Sequence, residues 1–451
     1  MKSSLLAILA CLLLVPMALA DRPPNLVLIV TDDQGYRDVG FNGGTQIPTP
    51  NLDRIANEGV CFQQGYVTYA VCGPSRAGLI TGQYQDRFGG SLNPTPNPAV
   101  PNNGVPLTEK NLAELLKPKG YTSMIVGKWH LGTYPNLRPL VRGFDEFYGF
   151  LSGGHDYFPE NLTFETLEDV NTKWGWYRTK LLDQEQRVGT TKYLTDELSD
   201  RAVDFIDRQK NAPFFLYLAY NAPHTPMQAS EEYLARFSHI ENEKRRTYAA
   251  MVASVDDGVG RVLDKLDEHG LAEDTLVVFL SDNGGATNNA SNNYPLRGHK
   301  GSSYEGGIRV PFAMRWTGMM PAGVDYAHPV SALDVAGTIA AAAEVDVAAD
   351  KPLDGVDLVP FVTGQADGRP HDTLVWRKYN PGEWVVRHGD EKLIHRKGVY
   401  ELFDIAADTG ETNNLAEQRP GRVAALKALF DAWAEPMVPP AYPGLGSWTF
   451  D

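Results

Sequence analysis

The chain has 451 residues, 43% of them apolar and 22% charged, which is enough to bury a large core plus a smaller second unit and excludes a disordered or fibrous protein. A formal net charge of -15 argues against nucleic acid as a partner and supplies no polybasic patch for a membrane surface. A polyanionic ligand would have to be held by a local basic pocket, against the sign of the whole surface.

Residues 1–20 read as a secretory signal: Lys2, an apolar run from Leu5 to Leu19, and the small-x-small pattern Ala18-Leu19-Ala20 before Asp21. Cys11 lies in that run without the spacing of a lipid-anchored signal, and no later stretch is apolar enough to span a bilayer. The mature chain is expected in a periplasm or outside the cell. It keeps Cys61 and Cys72, and two thiols in an exported protein invite a disulfide.

Asn25–Thr31 is a continuous β-branched apolar run, the pattern of a strand buried on both faces, and it passes directly into Asp32-Asp33. The arrangement repeats. Strands at 121–126, 214–220 and 275–280 lead into Gly127-Lys128-Trp129-His130, Asn221-Ala222-Pro223-His224 and Ser281-Asp282-Asn283-Gly284. Helices are expected at 49–57, 108–117, 195–209 and 243–268. This alternation predicts an α/β fold, a large mostly parallel sheet sandwiched by helices, in which ligands bind outside the carboxyl ends of the strands. Four polar clusters should therefore meet in one cleft.

Segments 91–105 and 153–189 lack a clear period and read as long loops over the cleft mouth, or as inert insertions. The main domain is expected over 21–365. From 366 to 451 the strands shorten, at 373–378, 384–388, 392–396 and 399–404, and a helix follows at 420–434. They predict a smaller C-terminal subdomain with a helix on an antiparallel sheet.

Val71-Cys72-Gly73-Pro74-Ser75-Arg76 places a lone thiol before a Pro-led first helical turn that runs to Gly82. An anion held by the N–H groups there would lie against Cys72, with Arg76 one turn further on. Taken alone, such a Cys is equally a small thiol packed under a turn. Asp32, Asp33, Asp282 and Asn283 are oxygen donors suited to a hard divalent cation, Ca²⁺ first and Mg²⁺ second, and no zinc-like Cys/His spacing accompanies them. Lys128, His130, His224 and Lys300 supply charge and protons. Cations can clamp the oxygens of a tetrahedral anion, and His224 can give a proton to a leaving oxygen.

Cys72-Gly73-Pro74-Ser75-Arg76 with Leu79-Ile80-Thr81-Gly82 resembles the signature of the formylglycine-dependent (type I) sulfatases of the alkaline phosphatase-like superfamily. Gly127-Lys128-Trp129-His130-Leu131-Gly132, Ala222-Pro223-His224-Thr225-Pro226, Ser281-Asp282-Asn283-Gly284 and the run from His299 to Pro311 are similar to its later motifs, in order. Tyr400-Glu401-Leu402-Phe403-Asp404 and Glu411-Thr412-Asn413-Asn414-Leu415 are similar to its C-terminal subdomain.

The resemblance implies a sulfuric ester hydrolase acting on a sulfated carbohydrate. Cys72 would be converted to formylglycine by a separate maturation enzyme, leaving Cys61 without an intrachain partner. One hydroxyl of the hydrated aldehyde would attack sulfur, and the other would lose its proton to expel sulfate from the covalent sulfo-enzyme. The implied metal set is Asp32, Asp33, Asp282, Asn283 and the converted Cys72. Arg76 and Lys128 would orient the nucleophile, His130 would take a proton, and His224 with Lys300 would serve the leaving oxygen. His155, Arg297 and His299 are further possible substrate contacts. Two other functions fit such a chain: a phosphonate or phosphate ester hydrolase of the same superfamily, and a catalytically silent glycan-binding homologue.

Overall fold

The computed structural model describes residues 22–379 and 382–445, so the secretory-signal reading of 1–20 lies outside the described residues. The main sheet has ten strands. Its centre is five parallel strands in the order Thr275–Ser281, Asn25–Thr31, Phe214–Ala219, Thr122–Lys128 and Glu146–Phe150. Leu28 sits between Tyr217 and Val278 in register. The apolar run at 25–31 does not alternate because both faces are covered. Leu26, Leu28 and Val30 enter one layer with the helix Cys72–Thr81; Val27 and Ile29 enter the other with Pro50–Asn57, Leu194–Gln209 and Glu243–Glu268. Each fully buried Leu, Ile or Val stabilises the fold by roughly 1.5–3 kcal/mol.

Two expected elements differ. The helix expected at 108–117 is Leu112–Leu116, because Asn111 and Glu114 form a reciprocal capping box that starts it there, and a 3₁₀ turn Lys117–Lys119 follows. The segment 153–189 is not loop throughout: Leu181–Asp183 and Gln186–Val188 form a hairpin that extends the main sheet at one edge.

Thr373–Lys378, Glu383–His388, Glu391–Arg396 and Val399–Asp404 form a separate antiparallel sheet in sequential order. The helix Pro420–Ala434 closes one face, with Leu426 in a cluster of Val386, Leu393 and Leu402, and Trp384 stacked on Phe430 at 4.2 Å. A buried charge cluster joins this sheet to the main domain: Lys392 Nζ lies 2.9 Å from Glu305 Oε1 and 2.8 Å from Glu411 Oε1.

Candidate active site

The carboxyl ends of the central strands deliver polar residues to one place, as an open parallel sheet allows. Thr31 passes into Asp32 and Asp33, Lys128 ends its own strand, Ser281 passes into Asp282 and Asn283, and the turn after Ala219 carries His224. The Asp32 N–H donates to Ala222 O at 3.2 Å and the Asp282 N–H to Thr31 O at 3.0 Å, which ties these ends together. Asp33 and His130 hold φ values of 64° and 56°, left-handed backbone that is uncommon for residues with a side chain and clusters at functional sites.

Cys72 does not precede its helix; it is the first helical residue, after an extended Val71, and the helix ends at a left-handed Gly82. All ten residues of Cys72–Thr81 are buried. The Gly73 N–H donates to Asn93 Oδ1 at 2.8 Å, and Asn93 Oδ1 lies 4.0 Å from Cys72 Sγ. Asn93 thus satisfies an orphan donor of the helix start from outside the helix. Its only sequence signal was its place in an Asn/Pro-rich segment.

Each carboxylate of the cluster has a cation, buried in the case of Lys128 and Arg76 and half-buried in the case of Lys300. Lys128 Nζ is 2.5 Å from Asp32 Oδ2, Arg76 Nε is 2.7 Å from Asp282 Oδ2, and Lys300 Nζ is 2.7 Å from Asp33 Oδ1. Pairing leaves oxygens over. Asp32 Oδ1, Asp282 Oδ1 and Asn283 Oδ1 are buried and accept no hydrogen bond. Orphaned buried acceptors are costly, and three together, two of them anionic, fit a hard cation. The ligand atoms of Asp32, Cys72 and Asp282 lie within 4.8 Å of one another, as do those of Asp32, Asp33 and His224. Asp33 also accepts from Asn283 Nδ2 at 2.7 Å, so all four expected oxygen donors belong to one cluster.

Burial would raise the Asp33 carboxyl, but Lys300 and His224 hold it below the usual range. Burial and then Asp32 push Asp282 up against the pull of Arg76. His130 is driven well below the ordinary imidazole range, by burial first and then by Lys128, Arg76 and Lys300, so it is neutral. Burial pushes the Cys72 thiol up in spite of Lys128 and Lys300. A protonated thiol is a poor nucleophile, so this Cys is not an activated thiolate.

Cys72, His130, His224 and Lys300 line a cavity of about 540 Å³, with Asn93, Trp174 and Tyr177 on its wall. That volume suits a small organic ligand. Gly153 lines it too, and the glycine is required: a Cβ there would stand 2.7 Å from His130 Nε2, while one on Gly154 would meet the Tyr177 ring at 2.6 Å. His224 Nδ1 lies 2.6 Å from Thr225 O, which leaves Nε2, 3.7 Å from Asp33 Oδ2, as its working nitrogen.

Besides the four oxygen donors, Arg76, Lys128, His155, Arg297 and His299 do not line this cavity. Lys128 is wholly buried, with its Nζ on Asp32 Oδ2. His155 corrects the sequence reading most plainly. Its ring stacks on Phe150 at 4.7 Å, both nitrogens lie 2.8 Å from the carbonyls of Asp156 and Thr179, and burial takes the imidazole down to about 4. It is a packed structural residue. Arg297 and His299 face a second recess beyond Lys300.

The sequence model of the sulfatase family matches residues 24–345, and that described as "N-sulphoglucosamine sulphohydrolase, C-terminal" matches residues 299–429. N-acetylgalactosamine-6-sulfatase of Mus musculus is 36% identical over 367 residues, covering 78% of this chain and 68% of that one. The crystal structure of Ps i-CgsB in complex with k-i-k-neocarrahexaose superimposes with a TM-score of 0.88 at 39% identity, over 93% of this chain and 95% of that one. A phosphonate monoester hydrolase of Agrobacterium radiobacter shares the fold, with a TM-score of 0.65 at 22% identity over 92% and 96% of the two chains. The chain belongs to the sulfatase family of sulfuric ester hydrolases.

Proposed function

We propose that this enzyme removes sulfate from a sulfated carbohydrate, with Cys72 converted to formylglycine as the nucleophile. The observation that carries the reading is the placement of Cys72 within 4.8 Å of two half-satisfied carboxylates, Asp32 and Asp282, beside a cavity walled by His130, His224 and Lys300. As a thiol, Cys72 is held protonated; as a hydrated aldehyde it would offer one hydroxyl to attack sulfur and a second to release sulfate. Asp32, Asp33, Asp282 and Asn283 would hold Ca²⁺, which supplies a positive charge for a sulfate oxygen and lowers the pKa of a neighbouring hydroxyl.

The protein groups take the remaining roles. Arg76, fixed by Asp282, has a buried Nη2 without a partner to offer the nucleophile. His130 Nδ1 is likewise buried and unpartnered, and a neutral imidazole there accepts the proton of the second hydroxyl. Lys300 and His224 Nε2 face the cavity on the Asp33 side, where the ester and leaving oxygens would lie. Because the whole helix Cys72–Thr81 is buried, the maturation enzyme must meet this segment before it folds. Carbohydrate is favoured by the hexaose bound to the similar structure and by Trp174 and Tyr177 on the cavity wall, which offer aromatic surface for sugar rings. An apolar run with an Ala-x-Ala end at residues 1–20 supports action in a periplasm or outside the cell.

Matched aryl esters test the reaction. Sulfate release should exceed phosphate release; the reverse preference would reassign the protein to the phosphatase and phosphonate hydrolase side of the superfamily.

A further inference from the structure

We infer that the recess on the far side of the Lys300 loop is a second oxyanion subsite, which takes a sulfate or carboxylate from a sugar adjoining the one whose ester lies at Cys72. The inference rests on the carbohydrate reading above. The recess has a volume of about 450 Å³ and shares Lys300 with the catalytic cavity, so a glycan leaving one would meet the other across a single residue.

Its charge runs against that of the chain. Arg297, Lys300, Lys378 and Arg396 line it and Glu383 is its one acidic lining residue, in a protein of net charge -15. One of the cations lacks a carboxylate partner. Arg297 sits 3.8 Å over the Tyr304 ring and donates from Nη1 to the backbone carbonyl of Glu411 at 2.8 Å; no carboxylate lies within ion-pair distance of it among the described residues. Arg396 sits 5.2 Å over the same ring, donates from Nη2 to Tyr304 Oη at 2.9 Å, and pairs with Glu401 at 3.6 Å. Lys378 is the better neutralised cation, 3.1 Å from Glu383 and 2.8 Å from the Gly301 carbonyl.

Arg297 and Arg396 both line the recess, and an oxyanion bound there would be attracted to both. The planar donor fork of Arg matches sulfate or carboxylate oxygens in pairs. Arg297 comes from the main domain and Arg396 from the C-terminal sheet, so the recess exists only where the two units meet. The expected result is a preference for chains carrying more than one anionic group.

Binding can be read without turnover in the full-length Cys72→Ala protein, titrated with dextran sulfate and, separately, with polygalacturonate. In that background, Arg297→Gln/Arg396→Gln should weaken dextran sulfate binding by about 10-fold, the scale of one lost charge-assisted contact. Arg208→Gln/Arg236→Gln, which removes the same charge from exposed helix positions, should change it by less than about 2-fold. The single variant Arg396→Gln, at a side chain 42% exposed, should show a loss of about 3-fold even if the double variant does not fold. A loss confined to polygalacturonate would assign the subsite to carboxylate, and one confined to dextran sulfate would assign it to sulfate. Equal affinities of subsite and control variants for both polymers would overturn the inference. If the wild-type protein hydrolyses no sulfate ester, the reaction reading falls, while these titrations still decide the subsite.

Discussion

Arg76 Nε and Asp282 Oδ2 form a 2.7 Å ion pair between two side chains that water does not reach. Removing one member of such a pair leaves a buried charge uncompensated, at about 3–5 kcal/mol. Arg76→Met should therefore lose about 3 kcal/mol of stability in urea melts as well as turnover. Arg76→Met/Asp282→Asn should lose less than the sum of the two single variants, because the second change removes the stranded charge. Additive losses would mean that the pair is not coupled.

Gly153→Ala tests the packing of the proton acceptor. A methyl group 2.7 Å from His130 Nε2 must displace the ring or the backbone at 153. Turnover should fall by about 10- to 100-fold with little change in melting temperature, since displacements of about 1 Å at reacting groups cost that much. Wild-type kcat in the alanine variant would remove His130 from the reaction.

Calcium should stabilise the folded chain through the three orphaned oxygens. Ligand binding to the native state alone adds about 2.7 kcal/mol at a free concentration a hundredfold above Kd. Chelation should lower the melting temperature of the wild type, calcium should restore it, and Asp32→Asn should blunt the response. A melting curve indifferent to calcium, magnesium and chelator would contradict a cation at this cluster.

Glu305 and Glu411 share Lys392 at the junction of the two units, and their carboxyls move in opposite directions. For Glu411, burial outweighs Lys392, and with repulsion from Glu305 it rises to about 7. For Glu305, burial is overcome by Lys392, Arg309 and Arg387, and it falls to about 2. A raised carboxyl contributes stability that is present below its unfolded value and lost as pH climbs through its folded one. Stability should thus decline as pH rises from about 4.5 through the raised value of Glu411. The Glu305 contribution is lost separately, as pH falls from about 4.5 through 2. Urea melts at intervals across the upper window should show the slope, and Glu411→Gln should flatten it.

Much of the scaffold was legible because its signals are local. Asn25–Thr31 and Glu243–Glu268 carry an unbroken apolar run and a long helical period, and the structure ends them at the expected residues. The polar groups at 32–33, 128–130, 221–224 and 281–283 converge because parallel strands place their carboxyl ends together. The hairpin ending at Gln186–Val188 was not legible: its strands are three residues each and the second carries charge at an exposed edge. His155 entered the expected site only through the family resemblance, and its partners are backbone carbonyls, which no sequence pattern records. Asn93 reaches the start of a helix twenty residues earlier, a contact set by tertiary packing alone. The pairing of Arg297 with Arg396 on one ring depends on how the two units dock.

The central claim is that Cys72 carries the reaction in converted form, and mass spectrometry of the peptide containing it, from protein exported by its own host, tests that claim most directly. The account predicts a peptide that has exchanged sulfur and two hydrogens for one oxygen, the composition of an aldehyde. An unmodified thiol at Cys72 in fully active protein would contradict it.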